Sequence, residues 1–319
     1  MRVDNTYKNN PNYFDVLIIG AGPGGISAAI YSQRASLKTG IIEKDAPGGK
    51  MVKTAFIENY PGFKNISGPD LAYSMFDQMN HTGVKYLYGN VIEVKKVSGY
   101  FHVSCEDGMV RYSKVVIIAS GMNEKKIGIP GENEYYGKGL SYCAICDGPL
   151  YKYKPIAVIG GGNSALEEAL YLSDLSSNVH LIHRRKEFRA DKSVVDKVKK
   201  NENITLHLDN VPIKFVGDGK KIISIDIQDV NTKSITNIKV DCIFPFLGFL
   251  PVNNFVSNFD ITNENGFIIV DENMATKIEG LYSIGDVNNK QYRQISTAIN
   301  DGTIAALNAK KYIDDTILV

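Results

Sequence analysis

The chain has 319 residues, of which 44% are hydrophobic and 22% charged, with a formal net charge of +1. Its length suggests two domains, and its composition is ordinary for a globular protein. So small a net charge gives no bulk electrostatic case for nucleic acid or an anionic membrane surface, and no apolar run approaches the roughly 20 residues of a membrane span. Residues 1–13 are polar and rich in Asn, without the apolar core of a secretory leader. With only four cysteines, the expectation is a cytoplasmic protein in a reducing compartment.

The first element is an apolar strand, Asp15–Ile19, that runs into Gly20-Ala21-Gly22-Pro23-Gly24-Gly25 and then a helical pattern to Arg34. G-x-G-x-x-G between strand and helix is the dinucleotide fingerprint. Gly20 permits the tight turn, Gly22 lets a pyrophosphate approach the backbone, and Gly25 lets helix and strand pack closely. The helix N-terminus presents unpaired N–H groups and partial positive charge to the phosphates. A second strand, Thr39–Ile42, ends in Glu43, placed to accept hydrogen bonds from an unphosphorylated ribose. Pro47-Gly48-Gly49-Lys50 and Glu58-Asn59-Tyr60-Pro61-Gly62 read as surface loops. Residues 67–83 read as a helix, and 89–97 and 100–104 as strands of a meander. The strand 115–119 closes on Ser120-Gly121, where chain and ligand can meet again.

Ser141-Tyr142-Cys143-Ala144-Ile145-Cys146-Asp147-Gly148 follows. A zinc site needs a second ligand pair, and Cys105, Cys242 and the five histidines supply none beside the motif, so no metal is expected. A disulfide across so short a loop removes little chain entropy, which argues against a purely structural bond. Redox work is the reading that remains, with Asp147 close enough to manage a proton.

A second signature, Gly160-Gly161-Gly162-Asn163-Ser164-Ala165, sits between the strand 156–159 and a helix at 166–173. A slide of 140 positions lays Gly20 on Gly160, Gly22 on Gly162, Gly25 on Ala165 and Glu43 on His183. The ribose-reading acid is thus replaced by His183-Arg184-Arg185, with Arg189 just beyond. Guanidinium groups bind a 2′-phosphate in bidentate fashion where a carboxylate would repel it. The first turn therefore suits FAD or NAD, and the second suits NADP(H). A nicotinamide hydride cannot pass directly to a disulfide, whereas a flavin can mediate between them. Near the C-terminus, residues 280–284 form a strand ending in Gly285-Asp286. Tyr292-Arg293-Gln294-Ile295 then opens a long amphipathic helix towards Tyr312.

Taken together, these motifs resemble the low-molecular-weight bacterial-type thioredoxin reductases over nearly the whole chain. The resemblance rests on Gly20–Gly25, Ile57–Gly62, Cys143–Gly148, Gly160–Ala165, His183-Arg184-Arg185 with Phe188-Arg189-Ala190, and Gly285-Asp286 with Tyr292-Arg293-Gln294. It implies an α/β fold of two Rossmann-like, three-layer ββα domains, the second inserted into the first. The FAD domain would span 1–123 and 249–319. The NADPH domain would span 124–248 and carry the cysteine pair, with loop-like joins near 122–124 and 248–251 as hinges. It further implies a homodimer that reduces thioredoxin. Cys146 would face the flavin, Cys143 would attack the thioredoxin disulfide, and Asp147 would protonate a departing thiolate. FAD would be held by the first turn (Gly20, Gly22, Pro23, Gly24 and Gly25), by Glu43 and Lys44, and by Gly49, Lys50 and Asn59. Gly121, Gly285, Asp286, Arg293, Gln294 and Ile295 would complete that site. NADPH would be held by Gly160, Gly162, Asn163, Ser164, His183, Arg184, Arg185 and Arg189. Lys50 departs from the family pattern, where glutamine is common; a cation there would either favour the pyrophosphate or shift the flavin potential. Cys105 and Cys242 match no motif and read as structural thiols. The rival flavoproteins fit less well. A peroxiredoxin-system relative carries an extra N-terminal thioredoxin-like region. Ferredoxin–NADP reductases lack the C-x-x-C, dithiol oxidases usually lose the basic motif, and a redox-dead flavin module would lose the cysteines or arginines.

Overall fold

In a computed structural model, which describes residues 7, 9–54 and 57–317, the chain forms two compact units. One comprises Met1–Thr54, Tyr60–Asn123 and Leu250–Val319; the other comprises Ala55–Asn59 and Glu124–Phe249.

The first unit opens with β1 (Tyr13–Ile19), α1 (Pro23–Arg34) and β2 (Thr39–Glu43). Helix α2 (Gly68–Asn80) begins at Ser67, whose Oγ accepts from the Asp70 N–H at 3.1 Å. Such a cap contributes about 1 kcal/mol. Strands β3 (Lys85–Tyr88), β4 (Val91–Val97), β5 (Tyr100–Cys105) and β6 (Val110–Ile118) follow. β3, β2, β1 and β6 lie parallel in that order, and β5 and β4 continue from β6 as an antiparallel meander. Alternation along β1 divides the core. Val16 and Ile18 pack with Ile26 and Met79 under the helices, whereas Leu17 and Ile19 pack with Val94 and Phe101 under the meander. Both faces being covered explains why β1 reads as a nearly unbroken apolar run.

The chain then runs through β7 (Met122–Glu124) into the second unit. There α3 (Ala144–Asp147) is a single turn. β8 (Ile156–Ile159), α4 (Asn163–Leu175), β9 (Val179–His183), α5 (Lys192–Lys200) and β10 (Ile204–Leu208) repeat the strand–helix alternation. An antiparallel sheet of β11 (Asn210–Gly217), β12 (Ile222–Asp229) and β13 (Ile235–Lys239) covers one face. β14 (Cys242–Pro245) completes the parallel sheet in the order β10-β9-β8-β14. The same division recurs: Ile156, Val158 and Leu181 pack under α4 and α5, and Ala157, Ile159 and Ile182 pack under the antiparallel sheet. Each unit thus has helices, parallel sheet and antiparallel layer in sequence, the α/β three-layer arrangement expected from the repeated fingerprint.

β15 (Phe249–Pro251) leads back and pairs with β7. The stretches expected as loop-like joins are therefore short paired strands. Each is too brief to show a period in sequence, and each depends on the other for its hydrogen bonds. β16 (Leu281–Ser283) adds to β6, alongside residues 116–118. Helix α6 (Ile295–Ile317) then packs on α1. The contact is close: Ser27 Oγ donates to the Ile299 carbonyl at 3.0 Å, and a Cβ at Gly302 would stand 2.3 Å from the Gly24 oxygen. Several boundaries move by a few residues from expectation. The helix expected at 67–83 runs 68–80, that at 166–173 runs 163–175, and α6 begins at Ile295 rather than Tyr292.

Candidate active site

In the first turn, the glycines divide into two kinds. A Cβ at Gly25 would lie 1.9 Å from the Gly20 carbonyl oxygen, whereas a Cβ at Gly22 would meet nothing within 4 Å. Gly25 is therefore required by packing, and Gly22 faces space where a phosphate can approach. Glu43 closes the turn: its Oε2 accepts from Ala21 N at 2.7 Å, and its Oε1 accepts from Lys44 N and Asp45 N at 2.8 and 2.9 Å. These bonds fix the carboxylate beside a cavity lined by Gly20, Ile42, Lys44, Asn90, Val91, Ser120, Val252 and Phe255. An apolar cavity with one anchored acid at its rim fits an adenosine with a free ribose.

Gly48 N donates to the Ala21 carbonyl at 2.7 Å, and the next residue, Gly49, lies against Gly22. The expected loop here is a short 3-10 turn, Gly49–Lys53. Asp286 follows β16. Burial raises its carboxyl pKa, and Lys50, Arg293 and Lys290 pull it back down. Arg293 donates to the carbonyls of Asp286 and Asn288 at 3.4 Å, and its guanidinium lies over the Phe267 ring. Asp301 accepts from Gly285 N at 2.9 Å and from Lys290 Nζ at 2.6 Å, a largely buried pair that holds the Gly285–Asp286 turn. The sequence reading overlooked both residues of this pair. Gly121 has φ +69° and open space around it. Gln294 and Ile295 lie at the start of α6, next to Arg293. The first unit thus gathers the residues expected to hold a flavin nucleotide, except Asn59, which belongs to the second unit.

The second turn repeats the first with altered chemistry. A Cβ at Gly162 would again meet nothing within 4 Å, and α4 begins there. At the position matching Glu43, the ring of His183 is 5% exposed, stacks on Phe188 at 5.2 Å and accounts for the middle glycine: a Cβ at Gly161 would stand 2.1 Å from the imidazole. His183 Nε2 lies 3.0 Å from the Glu187 carbonyl. Burial lowers its pKa, and so do Arg185, Arg189 and Arg184, leaving a neutral ring that donates to that carbonyl. Arg189 N donates to the Gly161 carbonyl at 2.8 Å. The buried imidazole thus props the turn while Arg184, Arg185 and Arg189 stay exposed. Asn163 and Asp191 exchange two hydrogen bonds, of 2.7 and 3.0 Å, tying the start of α4 to the start of α5. Ser164 is exposed on the first turn of α4.

Cys143 and Cys146 form a disulfide. Cys143 caps α3, its Sγ accepting from Cys146 N at 3.2 Å. Asp147 N donates to the Cys143 carbonyl at 3.1 Å. Burial pushes the Asp147 carboxyl above the ordinary carboxylate range, opposed by a hydrogen bond from Ser141. The preceding segment is pinned by Glu132, which is 4% exposed. It accepts from Ile127 N and Gly128 N at 2.8 and 2.7 Å, and from the Tyr142 hydroxyl at 2.8 Å. Of the free thiols, Cys105 is buried and accepts from Arg111 at 3.0 Å. Cys242 is buried, and desolvation, then the nearby Asp147 carboxylate, push its pKa well up, opposed by a hydrogen bond with Tyr151. Among the described residues, no group of three or more His, Cys, Asp or Glu could hold a metal ion, and no helix is long and apolar enough to cross a membrane.

The sequence profile of the pyridine nucleotide-disulphide oxidoreductase family matches residues 14–302. A thioredoxin reductase of Mycoplasma genitalium is 45% identical over 298 residues, covering 93% of this chain and 94% of that protein. A thioredoxin reductase of Bacillus subtilis is 40% identical over 303 residues, covering 95% of each. The crystal structure of thioredoxin reductase from Streptococcus pyogenes superposes with a TM-score of 0.92 at 39% identity, covering 95% of this chain and 99% of that one. With two glycine turns open to nucleotides and an oxidised C-x-x-C pair, the chain belongs to the thioredoxin reductases of the pyridine nucleotide-disulphide oxidoreductase family.

Proposed function

We propose that this oxidoreductase takes its electrons from NADPH, uses FAD as its flavin, and delivers reducing equivalents through Cys143 and Cys146 to the disulfide of a thioredoxin. The observation that carries this reading is the Cys143–Cys146 disulfide with the buried Asp147 carboxyl beside it, on a chain that has two open glycine turns of opposite ribose chemistry. When bound, the flavin supplies the exchange between hydride and dithiol chemistry. Gly22, Glu43, Lys50, Asp286 and Arg293 would hold it. Gly162, with the exposed Arg184, Arg185 and Arg189, would hold the NADPH 2′-phosphate, and the neutral His183 would position that arginine loop.

The chain's own chemistry is thiol–disulfide exchange. The Cys143 thiolate attacks one sulfur of the thioredoxin disulfide, whose S–S bond breaks, and the departing thiolate takes a proton. The Cys146 thiolate then attacks Cys143 in the mixed disulfide. This re-forms the Cys143–Cys146 bond and releases the second thioredoxin sulfur, which takes a second proton. Two electrons and two protons pass to thioredoxin. Asp147, held protonated to higher pH than an exposed aspartate, is the donor for the departing thiolate. Support for a dimer comes from the family resemblance and from Tyr31, Tyr73, Tyr88 and Ile92 of the first unit, large apolar side chains that are exposed in the single chain. The two free thiols are buried, which supports work in a reducing compartment such as the cytoplasm.

The test is an anaerobic titration of the purified yellow protein, following flavin absorbance. Bleaching by NADPH in preference to NADH, and recovery of colour on adding oxidised thioredoxin, is the expected result. Bleaching without recovery would redirect the search to another acceptor. No response to NADPH would overturn the assignment of the arginine loop.

A further inference from the structure

We infer that Asp301 and Lys290 are positioning residues of the flavin site, an ion pair through which residues 298–302 of α6 hold the Gly285–Asp286 turn beside the first glycine turn. The inference rests on the proposed reading of both turns as FAD-binding. Asp301 is 6% exposed. A single oxygen, Oδ2, accepts from Gly285 N at 2.9 Å and from Lys290 Nζ at 2.6 Å. The same stretch of α6 also meets the first turn. A Cβ at Gly24 would stand 2.9 Å from the Ala298 carbonyl oxygen, and a Cβ at Gly285 would stand 3.7 Å from the Ala298 side chain. Gly302, next to Asp301, packs against the Gly24 carbonyl. This stretch therefore touches both glycine turns, and Asp301 supplies its polar contact to the second.

Other bonds shape the loop without tying it to the helix. Asn288 Nδ2 donates to the Ser283 carbonyl at 2.8 Å, and Arg293 donates to the carbonyls of Asp286 and Asn288. Asp301 anchors that loop to α6, and its charge is what makes Lys290 necessary. A neutral acceptor would suffice for Gly285 N, but a buried carboxylate stripped of its cation is costly, more so than a pair in which both charges are replaced. Asp286 tightens the balance. Burial raises its carboxyl pKa, Lys50, Arg293 and Lys290 pull it back, and Asp301 pushes it up. Lys290 thus offsets two neighbouring carboxylates, and without it they would repel each other across the turn. A turn that opens to separate them spends part of its time unable to hold the flavin, and apparent affinity falls by that fraction.

The experiment measures the FAD that purified holoenzyme releases on serial dilution and ultrafiltration, read as fluorescence of free FAD in the filtrate. Lys290→Met should raise the Kd for FAD roughly tenfold or more. Adding Asp301→Asn removes the unbalanced charge and keeps an acceptor for Gly285 N, so the double variant should return to within a few-fold of wild type. A packing defect at position 290 would not be repaired by neutralising position 301, so this rescue separates charge balance from shape. If Lys290→Met does not fold, Asp301→Asn against Asp301→Ala makes the comparison. The Asn variant should hold FAD within a few-fold of wild type, and the Ala variant should lose about tenfold because Gly285 N is left unpaired. A Lys290→Met loss that Asp301→Asn fails to restore, or an Asp301→Ala protein that holds FAD as tightly as wild type, overturns the inference while leaving the flavin reading intact. Wild-type protein that neither carries FAD nor takes it up when supplied overturns that reading itself.

Discussion

At the scale of single residues, chemistry is set by which neighbours share a buried space. Arg184 and Arg185 are exposed, whereas His183 beside them is enclosed and neutral. The two kinds of residue therefore answer differently to substitution. Replacing both arginines with neutral residues should weaken NADPH by roughly tenfold to a hundredfold for each charge-assisted bond lost, with NADH little changed. Flavin-bleaching titrations with the two nucleotides measure the ratio, and equal losses would remove the 2′-phosphate as the partner. These arginines were legible in sequence because the register with Glu43 singled them out. Glu132 was not, because its partners are two backbone amides and the Tyr142 hydroxyl, brought around it by the fold.

Elements act through close approach and register. The Gly161–His183 contact joins the second turn to the end of β9, and a Cβ at Gly161 would stand 2.1 Å from the imidazole, so the ring or the turn must shift to admit it. Gly161→Ala should destabilise the protein by about 1–3 kcal/mol, the usual cost of overpacking. It should also raise the Kd for NADPH, because the arginine loop hangs from the same ring; denaturant midpoints and nucleotide titration check the two effects. On the same strand, His180 of β9 meets His207 of β10 at 3.1 Å. Burial, then the proximity of His180, lower the His207 pKa to about 4. An unfolded histidine titrates near 6.5, so between those values the unfolded chain binds a proton that the folded chain refuses. Stability is therefore full above about pH 6.5 and is lost as pH falls towards about 4. Chemical denaturation at pH 7 and pH 5 should show this fall, and His207→Gln should flatten it.

At the scale of the whole molecule, each hydrophobic cluster among the described residues draws its side chains from one unit, two clusters from the first and two from the second. Separate cores allow separate transitions. Scanning calorimetry with NADP⁺ at about 100 times its Kd should add roughly 2.7 kcal/mol to the unit that binds it. Only the transition of the unit carrying Gly162 and Arg184 should rise. A single transition that shifts as a whole would show that the two cores melt together.

The sequence alone was enough for the layered α/β class, the two nucleotide turns and the redox pair. Apolar period, glycine spacing and a C-x-x-C are local, and each needs only a few consecutive residues to be recognised. The duplication was legible for the same reason, since one slide aligns Gly20 with Gly160 and Glu43 with His183. Tertiary structure decided what depends on distant segments meeting. It paired β7 with β15 where loops were expected, set α1 against α6 through Gly24 and Gly302, and put Asn59 in a different unit from the other residues expected to hold a flavin. It also enclosed Asp147 with Tyr136, Tyr151 and Cys242, residues distributed from one end of the second unit's chain to the other. Burial is a property of the packed chain, so the proton affinity of that acid emerges only once the chain has folded around it.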